Sequence, residues 1–321
     1  MLYGSIMNFY LKNTITDMSE IDNIKELVNP EATIQDDKTK MSSYTGQEQP
    51  KEQYYGEAYN DSNVNELVDE TTPHVVVLVG YPEYGKSTFV SSFYHAVMTN
   101  GSIGKYKFVD SETILGFERR SQIRLEETRV KKRLDRTPMY LNYFLSLVFI
   151  NTETGRRVKL VLSDKAGDTY KDYGKIGEKI KSDKAIKRAQ HIIFFLDAYD
   201  MATEGYLDLQ QNLGLLVPRM VKYDVFFDRK RVDVVFNKID LLKEEDKEDY
   251  ETNKEEILNI IKQGTAIHKM TELSCLRTPL NESVNEYFEY LLDSCEEPEA
   301  ITEDLRQQVD WVSCKLKEIE L

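Results

Sequence analysis

The sequence predicts an α/β fold of three layers, with helices on both faces of a mostly parallel sheet that carries one antiparallel strand. Three observations predict it. From Pro73 onward short apolar runs alternate with helical patterns. The first run ends in a glycine-rich turn that opens a helix. Two β-rich runs, 140–150 and 157–163, are separated only by Asn151-Thr-Glu-Thr-Gly155, whose Asn and Gly suit a hairpin turn and so set an antiparallel pair into the alternation.

The composition excludes several function classes before any element is placed. With 321 residues, 40% of them hydrophobic, the chain can bury an ordinary core, as one large or two small domains. The three cysteines, Cys275, Cys295 and Cys314, lie far apart with no C-x-x-C pair, which suggests neither a disulfide framework nor a zinc site. No apolar run approaches the ~18 residues of a membrane span, and the start lacks the basic-then-apolar layout of a signal peptide. A cytoplasmic location is expected, with no membrane contact. The net charge of −14 argues against direct nucleic-acid binding, which needs basic residues to neutralise phosphate. Residues 1–72 hold 14 Asp and Glu against 5 Lys, a net of −9, so most of that acidity lies ahead of the alternating pattern.

The chain therefore divides into an acidic, largely flexible arm over 1–72, an α/β domain over 73–298 and an amphipathic helix over 299–321. The arm has one short helix-like piece, 19–28, stopped by Asn29-Pro30. Beyond it the residues are too polar to offset the entropy of ordering, and Tyr44, Tyr54, Tyr55 and Tyr59 are the only handles for a partner.

The apolar run Val75, Val76, Val77, Leu78, Val79 leads directly into Gly80-Tyr-Pro-Glu-Tyr-Gly85-Lys86-Ser87-Thr88, which is G-x-x-x-x-G-K-S behind a strand. Backbone N–H groups that curl around a phosphate need glycine at Gly80 and Gly85, where a side chain would clash. Lys86 is placed for the β- and γ-phosphates and Ser87 for Mg²⁺. The helix over residues 86 to about 99 turns its positive end to the anion, and Tyr84 and Thr88 complete the contact set. Pro82 removes one N–H from this cradle.

Residues 100–138 form a polar stretch with a short helical piece and a basic cluster, Lys131, Lys132 and Arg133. The second β-rich run ends Ser163-Asp164-Lys165-Ala166-Gly167, a D-x-x-G at the carboxyl end of a strand. There Asp164 can hold a Mg²⁺-bound water, and the Gly167 N–H can approach a γ-phosphate. A polar helix over about 174–188, a strand over 192–196, a helix over about 202–222 and a strand over 232–236 follow. The last of these runs into Asn237-Lys238-Ile239-Asp240.

N-K-x-D selects the base. The Asp240 carboxylate can accept from guanine N1–H and N2–H₂, whereas adenine leaves it unpaired. Asn237 fixes the loop and the Lys238 stem covers the ring. Alone the tetrapeptide arises by chance in about one chain of this length in twenty-five. Third in order, after a P-loop and a D-x-x-G, it carries weight. After a charged helix over 243–263, Ser274, Cys275 and Leu276 are placed to bring a backbone N–H to guanine O6, and a further helix spans 282–295. In the tail, Ile301, Leu305, Val309, Val312, Leu316 and Ile319 recur at spacings of 4, 4, 3, 4 and 3, one helical stripe with Trp311 beside it.

These motifs in this order resemble the translation-factor-related (TRAFAC-class) branch of P-loop GTPases, which implies a Ras-like core. Within that branch, Asp110-Ser-Glu-Thr-Ile-Leu-Gly116-Phe117-Glu118-Arg119-Arg120, Arg136-Thr137-Pro138 and Leu162-Ser-Asp-Lys-Ala-Gly167-Asp168 resemble the bacterial double-GTPase family, predicted to act in conflict or defence systems. The resemblance implies GTP and GDP with Mg²⁺ as ligands, and Ser87, Thr137 and Asp164 as metal residues. It makes Lys86, Thr137, Gly167 and Asp168 catalytic positions. Asp168 stands where a glutamine positions the attacking water in Ras-like members, and a carboxylate there is repelled by a triphosphate, so hydrolysis is expected to be slow. Arg119, Arg120 and Arg136 fall in the switch segment, where a guanidinium in cis can compensate, with Arg136 favoured for its place beside Thr137. A solvated basic face is the other reading of these arginines. A protein partner is expected (an activator, an effector or a second GTPase domain), and a nucleotide-dependent dimer is left open. The other functional reading is a non-catalytic, nucleotide-loaded scaffold.

Overall fold

The computed structural model describes residues 56–64, 67, 72–121, 141–227, 230–275 and 282–296. The chain divides into two units, 1–52 and 53–321, and every described residue belongs to the second. Most of the acidic arm and the amphipathic stripe of 301–319 lie outside the described residues.

In chain order the elements are β1 (Tyr59–Asn60), β2 (Pro73–Val79), α1 (Lys86–Asn100), β3 (Ser102–Ile103), β4 (Tyr106–Asp110), α2 (Ile114–Ser121), β5 (Asn142–Asn151) and β6 (Arg157–Lys165). Then come α3 (Gly167–Lys175), α4 (Lys184–Arg188), β7 (His191–Asp197), α5 (Ala198–Met201), α6 (Tyr206–Lys222), β8 (Arg231–Asn237), α7 (Lys247–Lys262), β9 (Lys269–Glu272) and α8 (Glu282–Glu296). All the strands join one sheet in the order β3-β4-β5-β6-β2-β7-β8-β9, with β1 added to β5. From β6 to β9 the neighbours are parallel. The central strands β2 and β7, buried on both faces over most of their length, read as unbroken apolar runs. Val77 of β2 joins a core with α3, α6 and α7 on one face, while Val76 and Leu78 join a second core with α1 and α8 on the other. In that second core Phe93 of α1 meets Phe288 of α8 at 4.4 Å between ring centroids. Among the described residues no helix is long and apolar enough to cross a membrane.

The hairpin forms as expected. β5 pairs antiparallel with β6 from Asn142↔Lys165 to Ile150↔Arg157. Asn151 Oδ1 accepts from the Glu153 N–H at 2.9 Å, and Gly155 takes a φ of +70° that a side chain would strain.

Three expectations are corrected. The antiparallel part of the sheet holds more than one strand, because residues 102–110 of the supposed polar stretch form β3 and β4, paired antiparallel with each other and with β5. Their only strong signals are Ile103 and Tyr106, buried either side of Gly104, too few for a recognisable alternation. The end of the arm belongs to the domain, since Tyr59 and Asn60 pair with Phe144 and Tyr143, and Val64 and Leu67 are buried. The polar helix of 174–188 is three pieces, α3, a 3-10 turn (Gly177–Ser182) and α4. The break follows from Asp183, whose Oδ1 accepts from the N–H groups of Ala185 and Ile186, while its Oδ2 takes Lys165 and the Tyr173 hydroxyl. A residue so engaged caps a new helix and does not continue the old one.

At the amino-terminal ends of β2, β7 and β8, away from the motif loops, His74, His191 and Asp233 come together. The two imidazoles meet edge to face at 6.1 Å, and His191 Nε2 lies 2.9 Å from Asp233 Oδ2. That carboxylate also accepts from the hydroxyls of Tyr287 and Tyr290. Burial, reinforced by His191 and Arg231, lowers the pKa of His74 from 6.5 to about 4. A base depressed in this way contributes full stability above pH 6.5 and loses it as the pH falls toward 4, because the unfolded chain takes the proton first. Urea unfolding at about pH 5 should therefore show up to about 2 kcal/mol less stability than at about pH 7.5 from this group. His74→Phe should remove that share, and an identical pH dependence in the variant would refute the assignment.

Candidate functional site

All the motif loops lie at the carboxyl ends of β2, β6, β7 and β8, or just beyond β9, which in an open α/β sheet is where ligands bind. The loop between β2 and α1 is the G-x-x-x-x-G-K-S turn. Its glycines are needed by the fold itself. A Cβ on Gly80 would lie 2.4 Å from the Phe195 carbonyl oxygen of β7, and one on Gly85 would lie 2.3 Å from Asn237 Nδ2. Gly85 also has φ +91°. The loop is thus held against β7 and the N-K-x-D turn by contacts that only glycine permits.

Asn237 joins three loops. Its Nδ2 donates to the Tyr84 carbonyl at 3.0 Å, and its Oδ1 accepts from the Cys275 N–H at 3.2 Å. The Ser92 hydroxyl of α1 donates to the Cys275 carbonyl at 2.8 Å, which closes the same circuit. The Cys275 N–H, expected at the guanine edge, is therefore engaged in holding the loop. Ser274 also has a supporting role, its hydroxyl donating to Asp240 Oδ1 at 2.5 Å and fixing that carboxylate. Lys238 takes a left-handed φ of 65° and its ammonium pairs with Asp197 Oδ2 at 2.5 Å.

Asp197 and Asp200 are contributors that the sequence reading missed. Asp197 ends β7 and accepts from the N–H groups of Tyr199 and Asp200. Asp200 takes the Tyr84 hydroxyl, and burial with the neighbouring Asp197 charge raises its pKa. Nothing in the local pattern reveals their place at the site, because the side chains they meet there, Lys238 and Tyr84, are distant in sequence.

At the phosphate end Lys86 is buried, and its ammonium donates to the carbonyls of Gly80 at 2.7 Å and Tyr81 at 2.9 Å. Burial lowers its pKa from 10.5 to about 8, against the pull of Asp164 and Asp168. Asp168 opens α3, where a carboxylate is favoured by the helix dipole. Gly167 lies hard against the loop, since a Cβ there would sit 2.2 Å from Pro82 N and 2.3 Å from the Tyr81 carbonyl carbon.

Ser87 Oγ donates to Asp164 Oδ1 at 3.0 Å, and Arg120 Nε donates to Asp164 Oδ2 at 2.6 Å. The arginines separate clearly. Arg120 reaches the Asp164 carboxylate with its side chain 15% exposed, whereas Arg119, 71% exposed, pairs with Glu57 at 2.6 Å. Arg136, Thr137 and Leu276 lie outside the described residues, as does the basic cluster. Thr88 sits in the first turn of α1, its carbonyl accepting from Ser92.

A Mg²⁺ ion takes hard oxygen ligands in an octahedron whose edges are about 3 Å. The Ser87 hydroxyl is such an oxygen, and the Asp164 carboxylate 3.0 Å from it is placed to hold a metal-bound water. Among the described residues no group of three or more His, Cys, Asp or Glu could hold a metal.

The lowered pKa of Lys86 makes phosphate binding pH-dependent. The charged ammonium, which attracts phosphate, is present below pH about 8 and lost above it. GDP affinity should weaken about tenfold between about pH 7 and about pH 9. Equilibrium titration with a fluorescent GDP checks this, and a flat profile would contradict it.

The family model for Double-GTPase 2 matches residues 74–285. No curated protein matches the sequence. Among solved structures, the bacterial selenocysteine-specific elongation factor EF-Sec is similar over 70% of this chain and 29% of its own, at 12% identity and a TM-score of 0.39. The translation elongation factor SelB of Methanococcus maripaludis, in its apo form, is similar over 72% of this chain and 35% of its own, at 11% identity and a TM-score of 0.36. This chain covers about a third of the length of those structures. With its P-loop, D-x-x-G and N-K-x-D turns all inside the matched residues 74–285, the chain belongs to the Double-GTPase 2 family.

Proposed function

We propose that the chain is a Mg²⁺-dependent guanine-nucleotide switch that hydrolyses GTP slowly. The single observation that carries this reading is the Asn237 circuit, in which one side chain bonds to the phosphate loop and to the 274–275 loop beside an Asp240 held by Ser274. Phosphate and base sites are thereby kept at one fixed separation, which suits a nucleotide and no smaller anion. The paired donors of guanine match the Asp240 carboxylate, and adenine offers no such pair.

In this reading Lys86 neutralises the β- and γ-phosphates, and the Gly167 N–H meets the γ-phosphate. Ser87 and Thr137, with Asp164 through a bound water, would hold Mg²⁺, which would draw charge from the phosphate oxygens. Asp168 brings a negative charge to the position from which water would be aligned, so turnover waits on a partner or stays slow. Loss of the γ-phosphate would release the segments that follow Arg120 and Gly167, as in other nucleotide switches. The partner is a protein, either an activator, an effector or a second GTPase domain, in a cytoplasmic bacterial conflict or defence system. Asp168 also favours a second reading, a nucleotide-loaded scaffold without turnover.

Single-turnover assays with GTP and ATP separate the readings. Slow GTP-selective hydrolysis that is lost in Lys86→Ala supports the switch, and tight GTP binding with no turnover supports the scaffold. Asp240→Asn should weaken GTP about a hundredfold, the worth of a charged hydrogen-bonded pair, and gain xanthosine triphosphate. Unchanged base preference, or preference for ATP in the unaltered chain, would refute the guanine assignment.

A further inference from the structure

We propose that Arg120 competes with Mg²⁺ for Asp164 and so sets the Mg²⁺ concentration at which this site retains nucleotide. The inference rests on the nucleotide-switch reading and adds a regulatory residue to it. Asp164 is buried, and both of its oxygens are used, one by the Ser87 hydroxyl and one by the Arg120 guanidinium. A carboxylate this deep is costly without a cation. Arg120 is such a cation, 2.6 Å away.

The guanidinium is held by more than its charge. Its Nη1 donates to the Gly116 carbonyl at 2.9 Å, and the group lies 4.9 Å from the Tyr143 ring centroid. These contacts pre-form the geometry for the carboxylate, so less side-chain entropy is lost in binding it. The backbone of α2 is anchored independently. Phe117 stacks on Tyr94 at 5.0 Å, the Tyr94 hydroxyl donates to Glu118 at 2.5 Å, and the Ser91 hydroxyl donates to the Arg120 carbonyl at 2.8 Å. Arg120 can therefore leave Asp164 by side-chain rotation alone, with α2 in place.

Two cations on one buried carboxylate repel each other, and the Ser87 hydroxyl that a metal would use is already turned to the same group. Mg²⁺ entry must therefore displace or weaken the Arg120 pair, and Mg²⁺ loss is softened because Arg120 returns to neutralise Asp164.

The test is the Mg²⁺ midpoint for retention of a fluorescent GDP, read as equilibrium binding and as GDP release rate across a Mg²⁺ series, in the full chain. Arg120→Gln should lower the midpoint about tenfold, and Arg120→Lys, which keeps the charge but loses the planar fork, should fall between the variant and the parent. A midpoint unchanged or raised in both variants overturns the proposal. So does GDP affinity that falls equally with Mg²⁺ and with chelator, which would make Arg120 a phosphate ligand. Arg120→Lys keeps the test decisive where Arg120→Gln does not fold. Failure of the parent chain to bind GDP at any Mg²⁺ concentration would instead defeat the nucleotide reading, a result independent of either variant.

Discussion

The side chain of Asn237 is the interaction on which the rest of the site depends. One amide supplies a donor to the Tyr84 carbonyl and an acceptor to the Cys275 N–H, so the phosphate loop, the N-K-x-D turn and the 274–275 loop share one hydrogen-bonded centre. Aspartate could accept but not donate, and leucine could do neither, so a buried residue that does both at once is close to being specified by chemistry. The glycine at Gly85 belongs to the same centre, because any side chain there would occupy the space of the amide nitrogen. The phosphate loop therefore has two reasons to be glycine-rich. Close approach of an anion is one, and contact with Asn237 and β7 is the other.

Electrostatics at the phosphate end follow from the same tight packing. Lys86 is buried deeply enough to lower its pKa to about 8, yet it is flanked by Asp164 and Asp168, which keep it largely charged at neutral pH. Asp164 in turn is balanced by Arg120. The result is an alternation of charges, Lys86, Asp164 and Arg120, in which each is partly neutralised by the next. A change in charge at any one of the three is therefore felt by the other two.

Much of the fold was legible because parallel strands buried on both faces leave unbroken apolar runs, as in Val75 to Val79 and Ile192 to Leu196, and because turn residues such as Asn151 and Gly155 carry a local geometric requirement. What escaped is equally physical. β4 is held by pairing to β5 and β3 by pairing to β4, not by their own alternation, so residues 102–110 read as polar loop. Tyr59 and Asn60 join the sheet through the far end of β5, a contact more than eighty residues away in sequence. The break between α3 and α4 depends on Asp183 meeting Lys165 and Tyr173, which no local window contains.

By itself the sequence determined the three motif turns, their order, and the chemistry each can perform, since glycine backbone freedom, a hydroxyl, a carboxylate and an amide are properties of the residues. The tertiary structure decided which groups those properties act upon. It set Ser274 on Asp240, Asp197 on Lys238 and the Tyr84 hydroxyl on Asp200. It also separated two adjacent arginines, sending Arg119 to Glu57 at the surface and Arg120 to Asp164 in the interior. Neighbours on a helix differ by about 100° in direction. Which of the two faces the site is fixed by the packing of Phe117 against Tyr94, and only the assembled core expresses that constraint.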